Sequence, residues 1–299
     1  MFWGICASLG RAAFTGRLLP GSGIDRVTPL ILSQARTGFS FLAVGFGFLA
    51  FGLSRKFRIA RADFGRVLIL GLAGVAASNY FYYLAIQRTN VATAIIVQYT
   101  APVWVLLYML ARGFEKATLT RVISVLLAVT GIALVIGLFG GGKLHLDLVG
   151  VLAALAAALS FSYYNIAGHL LLARYDRWTV LFYTTFSASL FWIFVNPPSR
   201  IVAAHYSPTA WLFLFVFAML SVLIPFSFYF AGLQHLVPTK AIVASCLEPV
   251  FTVLIAAAAL HETLHTLQVL GMAMVLAAIV VVQLPAWGNR SSIIMEPVD

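Results

Sequence analysis

The chain alternates between long apolar stretches and short polar stretches over nearly its whole length. A membrane-spanning helix needs about 20 mostly apolar residues, and ten stretches of that kind follow one another. They predict ten spanning helices, numbered here α1 to α10: Met1–Leu19, Thr28–Leu53, Gly65–Gln87, Val91–Ala111, Thr120–Leu138, Leu148–Arg174, Trp178–Val195, Pro208–Leu233, Pro238–Leu260 and Thr266–Leu284.

The second half of the chain repeats the first. Shifting Phe228–Val282 back by 147 positions lays it on Phe81–Val135 without a gap. The matches include Phe81 and Tyr82 with Phe228 and Tyr229, Gln87 with Gln234, Pro102 with Pro249, and Glu115 with Glu262. Apolar residues coincide easily in an apolar chain, so the polar and proline matches carry the argument for a duplicated unit.

Five helices in each half give the duplication a definite geometry. An odd number of crossings inserts the second half upside down, as in transporters built from inverted repeats. We therefore predict an all-α membrane protein whose ten transmembrane helices form two inverted five-helix repeats. The predicted domains are residues 1–138, a linker at 139–147, residues 148–284 and a tail at 285–299.

Composition and charge agree with this assignment. Hydrophobic residues make up 62% of the chain and charged residues only 9%, whereas a soluble domain has about 25% charged residues. The net charge of +10 comes from short basic runs between apolar stretches. No nucleic-acid-binding motif accompanies these runs, which argues against a nucleic-acid partner. The basic run Arg55–Arg66 predicts that this loop and the C-terminal tail lie on the cytosolic side of the membrane, because cytosolic loops are rich in basic residues. We expect that membrane to be a bacterial inner membrane.

The start of the chain looks short beside its counterpart. Leu9-Gly10-Arg11 aligns with Ala167-Gly168-His169, which leaves Leu148–Leu159 without a match in α1. We expect the printed sequence to begin inside its true first helix.

A zinc-protease motif has to be weighed against the transporter interpretation. Residues 261–265 read H-E-x-x-H, in which two histidines on one helix face bind zinc and the glutamate acts as general base. The repeat carries a glutamate at the matching position, Glu115, but no histidine. The segment also falls between two predicted helices. We keep an intramembrane metalloprotease using His261, Glu262 and His265 as the alternative, and we expect no metal site, no cofactor and no enzyme activity.

Prolines and one carboxylate stand inside the predicted spans. Pro102 and Pro249 cannot donate to the helix ladder, so we predict that they kink α4 and α9 symmetrically and act as hinges. Glu248 is the only carboxylate deep inside an apolar span, where ionisable side chains usually serve function. It is either a structural, protonated group or a site that gains and loses a proton during transport. Arg36 is expected to pair with backbone or with a substrate carboxylate.

Polar and aromatic side chains gather on the same predicted helices. Apolar and aromatic walls with a few convergent polar groups are typical of ligand sites. The candidate substrate-binding residues are Trp3, Arg36, Asn79, Tyr80, Tyr83, Gln98, Tyr99, Trp104, Tyr164, Asn165 and Glu248. Lipid-facing or core positions remain the competing explanation for the aromatic members.

These motifs together resemble the EamA-type branch of the drug/metabolite transporter superfamily. The resemblance rests on Phe2-Trp3-Gly4, on Pro102 with Glu115, and on Glu248-Pro249 with Glu262, Gln268 and Gly271. The first half departs from it, with Arg121 and Ser124 where the second half has Gln268 and Gly271. The resemblance implies a secondary active transporter that exports a small metabolite, amino acid or drug by alternating access between two repeats. It selects no substrate among these.

Overall fold

The computed structural model describes residues 6, 27–89, 91–136, 147–203, 205–260 and 265–284. Every regular element in those ranges is a helix, which confirms the all-α prediction. Helices occupy the places predicted for α2 to α10: Pro29–Ala50, Arg61–Arg88, Val91–Gln98 with Ala101–Ala111, Leu119–Val135, Leu148–Leu172, Arg177–Val195, Pro208–Leu233, Pro238–Ser245 with Leu247–Leu260, and Thr266–Gln283. Short helices at Ser54–Phe57 and Pro198–Ala203 lie between them.

The helices are those of a multi-pass membrane protein. Within the described ranges, seven are long and apolar enough to cross a membrane, and Leu119–Val135 is a shorter apolar helix. Large apolar side chains such as Phe46, Phe51 and Phe194 point outward and are more than two-thirds exposed. Except for Cys6 and Asp147, α1, the linker and the tail lie outside the described residues, so the domain boundaries stay predictions.

Side-chain caps determine where several helices begin. A Ser, Thr or Asp oxygen at the N-cap accepts a backbone N–H that the helix cannot pair itself. Thr28, Thr118, Asp147, Asp176 and Ser207 do this for α2, α5, α6, α7 and α8. α3 begins four residues before its predicted start, because polar residues at Arg61–Gly65 still adopt helical backbone.

α4 and α9 are each broken at the same repeat position. α4 is interrupted at Tyr99 and Thr100, and α9 is interrupted at Cys246. Each break lies just before the proline, Pro102 or Pro249, that cannot supply the next ladder hydrogen bond. The interruptions fall where the symmetric kinks are predicted, and the hinge role of the two prolines stays a prediction.

α3 and α8 contain a second matched irregularity that the sequence pattern did not predict. Leu70–Ala76 and Met219–Leu223 form π-helical wide turns, and a shift of 147 positions lays the second on residues 72–76. Wide turns of this kind inside α-helices occur frequently at functional sites. The duplicated unit thus carries two irregular points in each copy.

The two largest buried clusters of the described residues each combine helices from both halves. The first joins α2, α3, α6, α7, α8 and α9 around Phe48, Tyr164 and Phe230. The second joins α4, α5, α9 and α10 around Ile132, Val243 and Val275. α5 with α10 and α3 with α6 are the two most extensive helix pairs of the described residues.

Glycines allow α5 and α10 to approach closely. A Cβ placed on Gly271 would lie 2.5 Å from the Gly131 carbonyl oxygen, and one on Gly131 would lie 2.9 Å from the Gly271 carbonyl oxygen. Small residues at a crossing let membrane helices pack backbone to backbone. This pair is a close backbone contact between the two halves.

Candidate functional site

The two broken helices meet at Glu248. Glu248 follows the break in α9, and its Oε2 accepts a hydrogen bond of 3.0 Å from the Tyr99 hydroxyl at the break in α4. Tyr99 matches Cys246 under the shift of 147 positions. The contact therefore joins the irregular points of both repeats through one carboxylate.

A cavity of about 240 Å³ opens beside Glu248 between α8 and α9. We call it the Glu248 cavity. Its wall is mostly apolar, and its polar members are Tyr229, Ser245 and Glu248. Glu248 is partly buried as a residue and forms part of the wall of this cavity.

Arg36 lies on α2 at a separate, narrower space that we call the Arg36 gap. Its volume is about 10 Å³, and it is lined from α2, α3, α6, α7 and α8. Asn79 and Tyr164, two other predicted residues, line it as well. The Arg36 guanidinium is also close enough to act electrostatically on the Glu248 carboxylate.

Asn165 connects α6 to the wall of the Glu248 cavity. The hydroxyl of Tyr229 donates to Asn165 Oδ1, while Asn165 Nδ2 donates to the Phe161 carbonyl at 2.7 Å. One turn earlier, Ser162 donates to the Ala101 carbonyl at 3.1 Å, directly before Pro102. These bonds fix α6 against α8 and against the break in α4.

The remaining predicted residues divide between the interior and the surface. Gln98 Nε2 donates to the Ser78 hydroxyl at 3.5 Å, and Trp104 Nε1 donates to the Thr100 hydroxyl at 3.1 Å. Tyr83 packs beside Tyr82. Tyr80 is 36% exposed and meets Phe191 edge to face on the outer surface, so we leave it outside the proposed site.

Trp3 lies outside the described residues, as do His261 and Glu262. His265 directly precedes α10 with extended backbone, and its N–H donates to Gln268 Oε1 at 3.0 Å. The protease alternative needs both histidines on one helix face, and this backbone does not provide that. Among the described residues, no group of three His, Cys, Asp or Glu side chains could hold a metal ion.

Sequence reasoning predicted Tyr99 but missed one tyrosine, Tyr82, and one cysteine, Cys246, near Glu248. The hydroxyls of Tyr82 and Tyr99 and the thiol of Cys246 all lie within electrostatic range of the Glu248 carboxylate. Tyr82 is the repeat counterpart of Tyr229, which lines the Glu248 cavity. The repeat alignment contained this signal, since it pairs two tyrosines that both come to the site.

The chain matches the model of the EamA-like transporter family over residues 2–137 and 148–284. It is similar to the threonine/homoserine exporter RhtA of Salmonella typhimurium (strain SL1344), with 28% identity over 264 residues that cover 86% of this chain and 85% of the relative. RhtA of Escherichia coli (strain K12) is 26% identical over 273 residues, 90% of this chain and 85% of the relative.

More distant comparisons agree on the fold. An uncharacterised transporter of Archaeoglobus fulgidus is 23% identical over 287 residues, 94% of this chain and 98% of the relative. A solved crystal structure superposes with a TM-score of 0.75 over 96% of this chain and 95% of its own, at 20% identity. At this identity, the similarity supports the arrangement of the helices and nothing beyond the fold.

Proposed function

Because the chain belongs to the EamA-like transporter family and is a multi-pass membrane transporter, we propose that it exports small amino acids by alternating access, driven by proton exchange at Glu248. The observation that carries the proposal is the position of Glu248. One carboxylate joins two broken helices, accepts the Tyr99 hydroxyl and borders a cavity.

The substrate class comes from the relatives and from the size of the cavity. The relatives at 26% and 28% identity are described as exporters of threonine and homoserine. Sites for drug-sized ligands usually measure about 300–1,000 Å³, and the Glu248 cavity is smaller, at about 240 Å³. A space of this size suits a small amino acid better than a drug.

Glu248 can couple protons to substrate by competition. A carboxylate binds either a proton or an ammonium group, and a single site cannot hold both. On the cytosolic side, the substrate ammonium would replace the proton at Glu248. On the outer side, a proton would replace the ammonium and release the substrate. Export is then obligatorily linked to proton entry.

The irregular helices supply the moving parts of this cycle. Backbone groups freed at Pro102 and Pro249 are tolerated inside a membrane only when buried in protein or lining a wet cavity. The break in α9 borders the Glu248 cavity through Ser245 and Glu248. We propose these two breaks as the hinges. We also propose that Arg55–Arg66 and the C-terminal tail lie on the cytosolic side of a bacterial cell membrane.

A transport assay in proteoliposomes tests the proposal. The parent protein should accumulate labelled L-threonine or L-homoserine against its gradient when an opposing proton gradient is imposed. Glu248→Gln should lose gradient-driven accumulation but keep passive exchange of labelled for unlabelled substrate. The matched control is Asp176→Asn, which removes a carboxylate that pairs with Lys56 at 2.9 Å on the surface and keeps the N-cap oxygen.

Two results would contradict the proposal. If the parent transports neither amino acid under any gradient, the substrate class is wrong. If Glu248→Gln accumulates substrate as well as the parent does, the proton role fails, and Glu248 is a structural partner of the break in α9.

A further inference from the structure

The Arg36 gap contains two hydrogen-bonding groups that have no acceptor among the described residues. Within the described part of the chain, the Arg36 guanidinium makes no hydrogen bond or ion pair. The Tyr164 side chain is 2% exposed and its hydroxyl lacks a hydrogen-bond partner there. Buried polar groups are nearly always paired, and each exception calls for an explanation.

The other hydroxyls of the gap and the Asn79 amide nitrogen already have acceptors. The hydroxyls of Thr184, Thr185 and Thr37 donate to carbonyls of their own helices at 2.8, 2.7 and 3.1 Å. Asn79 Nδ2 donates to the Val75 carbonyl at 2.7 Å. No carboxylate is among the described residues that line the gap. The donors left over are a cation and a hydroxyl, and together they fit an anionic acceptor.

The location of the gap links it to the transport cycle. α2 and α3 belong to the first half of the chain, while α6, α7 and α8 belong to the second, so the gap lies between the halves. It is lined by Val75 and Val222, one from each wide turn. Movement of one half against the other must therefore change its width.

We propose that the Arg36 gap is the subsite for the carboxylate group of the transported amino acid, whose ammonium group takes the place of the proton at Glu248. This inference rests on the proposed function and deepens it, because it requires a zwitterionic substrate. The planar guanidinium matches a carboxylate with two parallel hydrogen bonds, and the Tyr164 hydroxyl supplies a third donor. A space of about 10 Å³ admits one water-sized group, so the wide turns must open for the carboxylate to enter fully.

The electrostatic coupling between Arg36 and Glu248 supports one ligand across both places. Their charges act on each other but form no ion pair in the described structure. A zwitterionic ligand between them would pair its carboxylate with the Arg36 guanidinium and its ammonium group with the Glu248 carboxylate. A simple amine would leave the Arg36 donors unsatisfied.

Ligand-dependent thermal stability of the full chain in nanodiscs tests the subsite without using transport. L-threonine should raise the Tm of the parent, while L-threoninamide, which lacks the carboxylate, should bind at least about 10-fold more weakly because it forfeits charge-assisted bonds. Tyr164→Phe should weaken L-threonine binding about 5- to 10-fold. Arg36→Gln should weaken it about 10- to 100-fold, and Arg36→Lys should fall between the parent and Arg36→Gln.

The matched control is Tyr163→Phe, which removes a hydroxyl from the neighbouring, partly buried tyrosine and should leave binding unchanged. The variants should not alter the weak binding of L-threoninamide, since that ligand has no group for the gap. If L-threoninamide stabilises the parent as well as L-threonine does, the subsite is wrong. The same conclusion follows if Tyr164→Phe and both Arg36 variants bind L-threonine like the parent.

Two further measurements distinguish the carboxylate subsite from an inorganic-anion site and from the proposed export function. Chloride in place of gluconate should not substitute for L-threonine; stabilisation by chloride alone that disappears in Arg36→Gln would assign the gap to an inorganic anion and overturn the carboxylate subsite. If L-threonine binds through Arg36 and Tyr164 but is not accumulated in proteoliposomes, the subsite stands and the proposed export function fails.

Discussion

The helix pairs α5–α10 and α4–α9 are built from the same duplicated unit and differ in continuity and packing. α5 and α10 run unbroken and touch backbone to backbone at Gly131 and Gly271. α4 and α9 are interrupted before Pro102 and Pro249, pack through apolar side chains, and are joined by the Tyr99–Glu248 hydrogen bond. One pair is thus continuous and closely packed, and the other is interrupted beside the candidate site.

The asymmetry within the α4–α9 pair is as informative as its symmetry. The breaks match by position, but Glu248 has Ala101 as its counterpart, and Tyr99 has Cys246. Each half thus contributes a different chemical group to this contact. Duplication alone would have given the same group in both halves. The fold follows the repeat, and the chemistry departs from it at the point where the halves meet.

The largest effect is expected from filling the α5–α10 crossing. Gly271→Leu places a side chain where a Cβ alone would already lie 2.5 Å from the Gly131 carbonyl oxygen. Overpacking a close contact costs about 1–3 kcal/mol or more, so we expect most of the protein to be lost from the membrane fraction or to denature at lower temperature. Fluorescence-detected size exclusion after heating measures this.

The control for that substitution lies on the other side of the comparison. Gly232→Ala adds a Cβ in the wall of the Glu248 cavity, where no atom lies within 4 Å. We expect its thermal stability to equal that of the parent or to exceed it slightly, because alanine favours the helix. Equal damage from both glycine substitutions would show that the two regions do not differ in packing.

The next effect concerns the hinge. Pro249→Ala restores a backbone donor before the second segment of α9, and we expect a longer, stiffer helix with transport slowed by about 10-fold and stability unchanged or higher. Pro102→Ala should act in the same direction in α4. Exchange rates in proteoliposomes and thermal denaturation of the same preparations measure both properties. A Pro249→Ala protein that transports at the parental rate would remove the hinge role.

A smaller effect is expected from the hydroxyl at the junction. Tyr99→Phe deletes the 3.0 Å bond to Glu248 and keeps the ring, so we expect substrate exchange to fall by about 2- to 10-fold at limiting substrate, the range for the net contribution of a single hydrogen bond. Tyr80→Phe is the matched control, because Tyr80 meets Phe191 on the outer surface. If both variants behave alike, the tyrosine hydroxyl at the junction is not part of the site.

Much of this architecture follows from the sequence, since apolar length predicts spans and proline predicts breaks. The same sequence does not predict which face of a span points inward. A helix in lipid is apolar on all sides, so the spacing of its apolar residues is a weak guide to which face points inward. The sequence pattern therefore does not distinguish the orientation of Tyr80 from that of Tyr82. The structure places one outside and the other beside Glu248.

The wide turns and the Tyr99–Glu248 bond escaped prediction for related reasons. The turn Leu70–Ala76 has no proline within it or just after it, and it packs closely against the Thr184 carbonyl at Gly71. The turn Met219–Leu223 precedes Pro225, which cannot donate to the Ser221 carbonyl, and the sequence analysis did not use this signal. The Tyr99–Glu248 bond spans 149 positions and exists only because α4 and α9 are neighbours in the fold.

Proton movement during substrate transport tests the central claim most directly. With a pH-sensitive dye inside proteoliposomes that hold the parent protein, adding L-threonine to one side should move protons in the opposite direction in a fixed ratio to labelled substrate. Glu248→Gln should exchange L-threonine with no accompanying proton movement. Proton movement that continues at the parental ratio in Glu248→Gln would contradict the account of Glu248 as the coupling group between the broken helices.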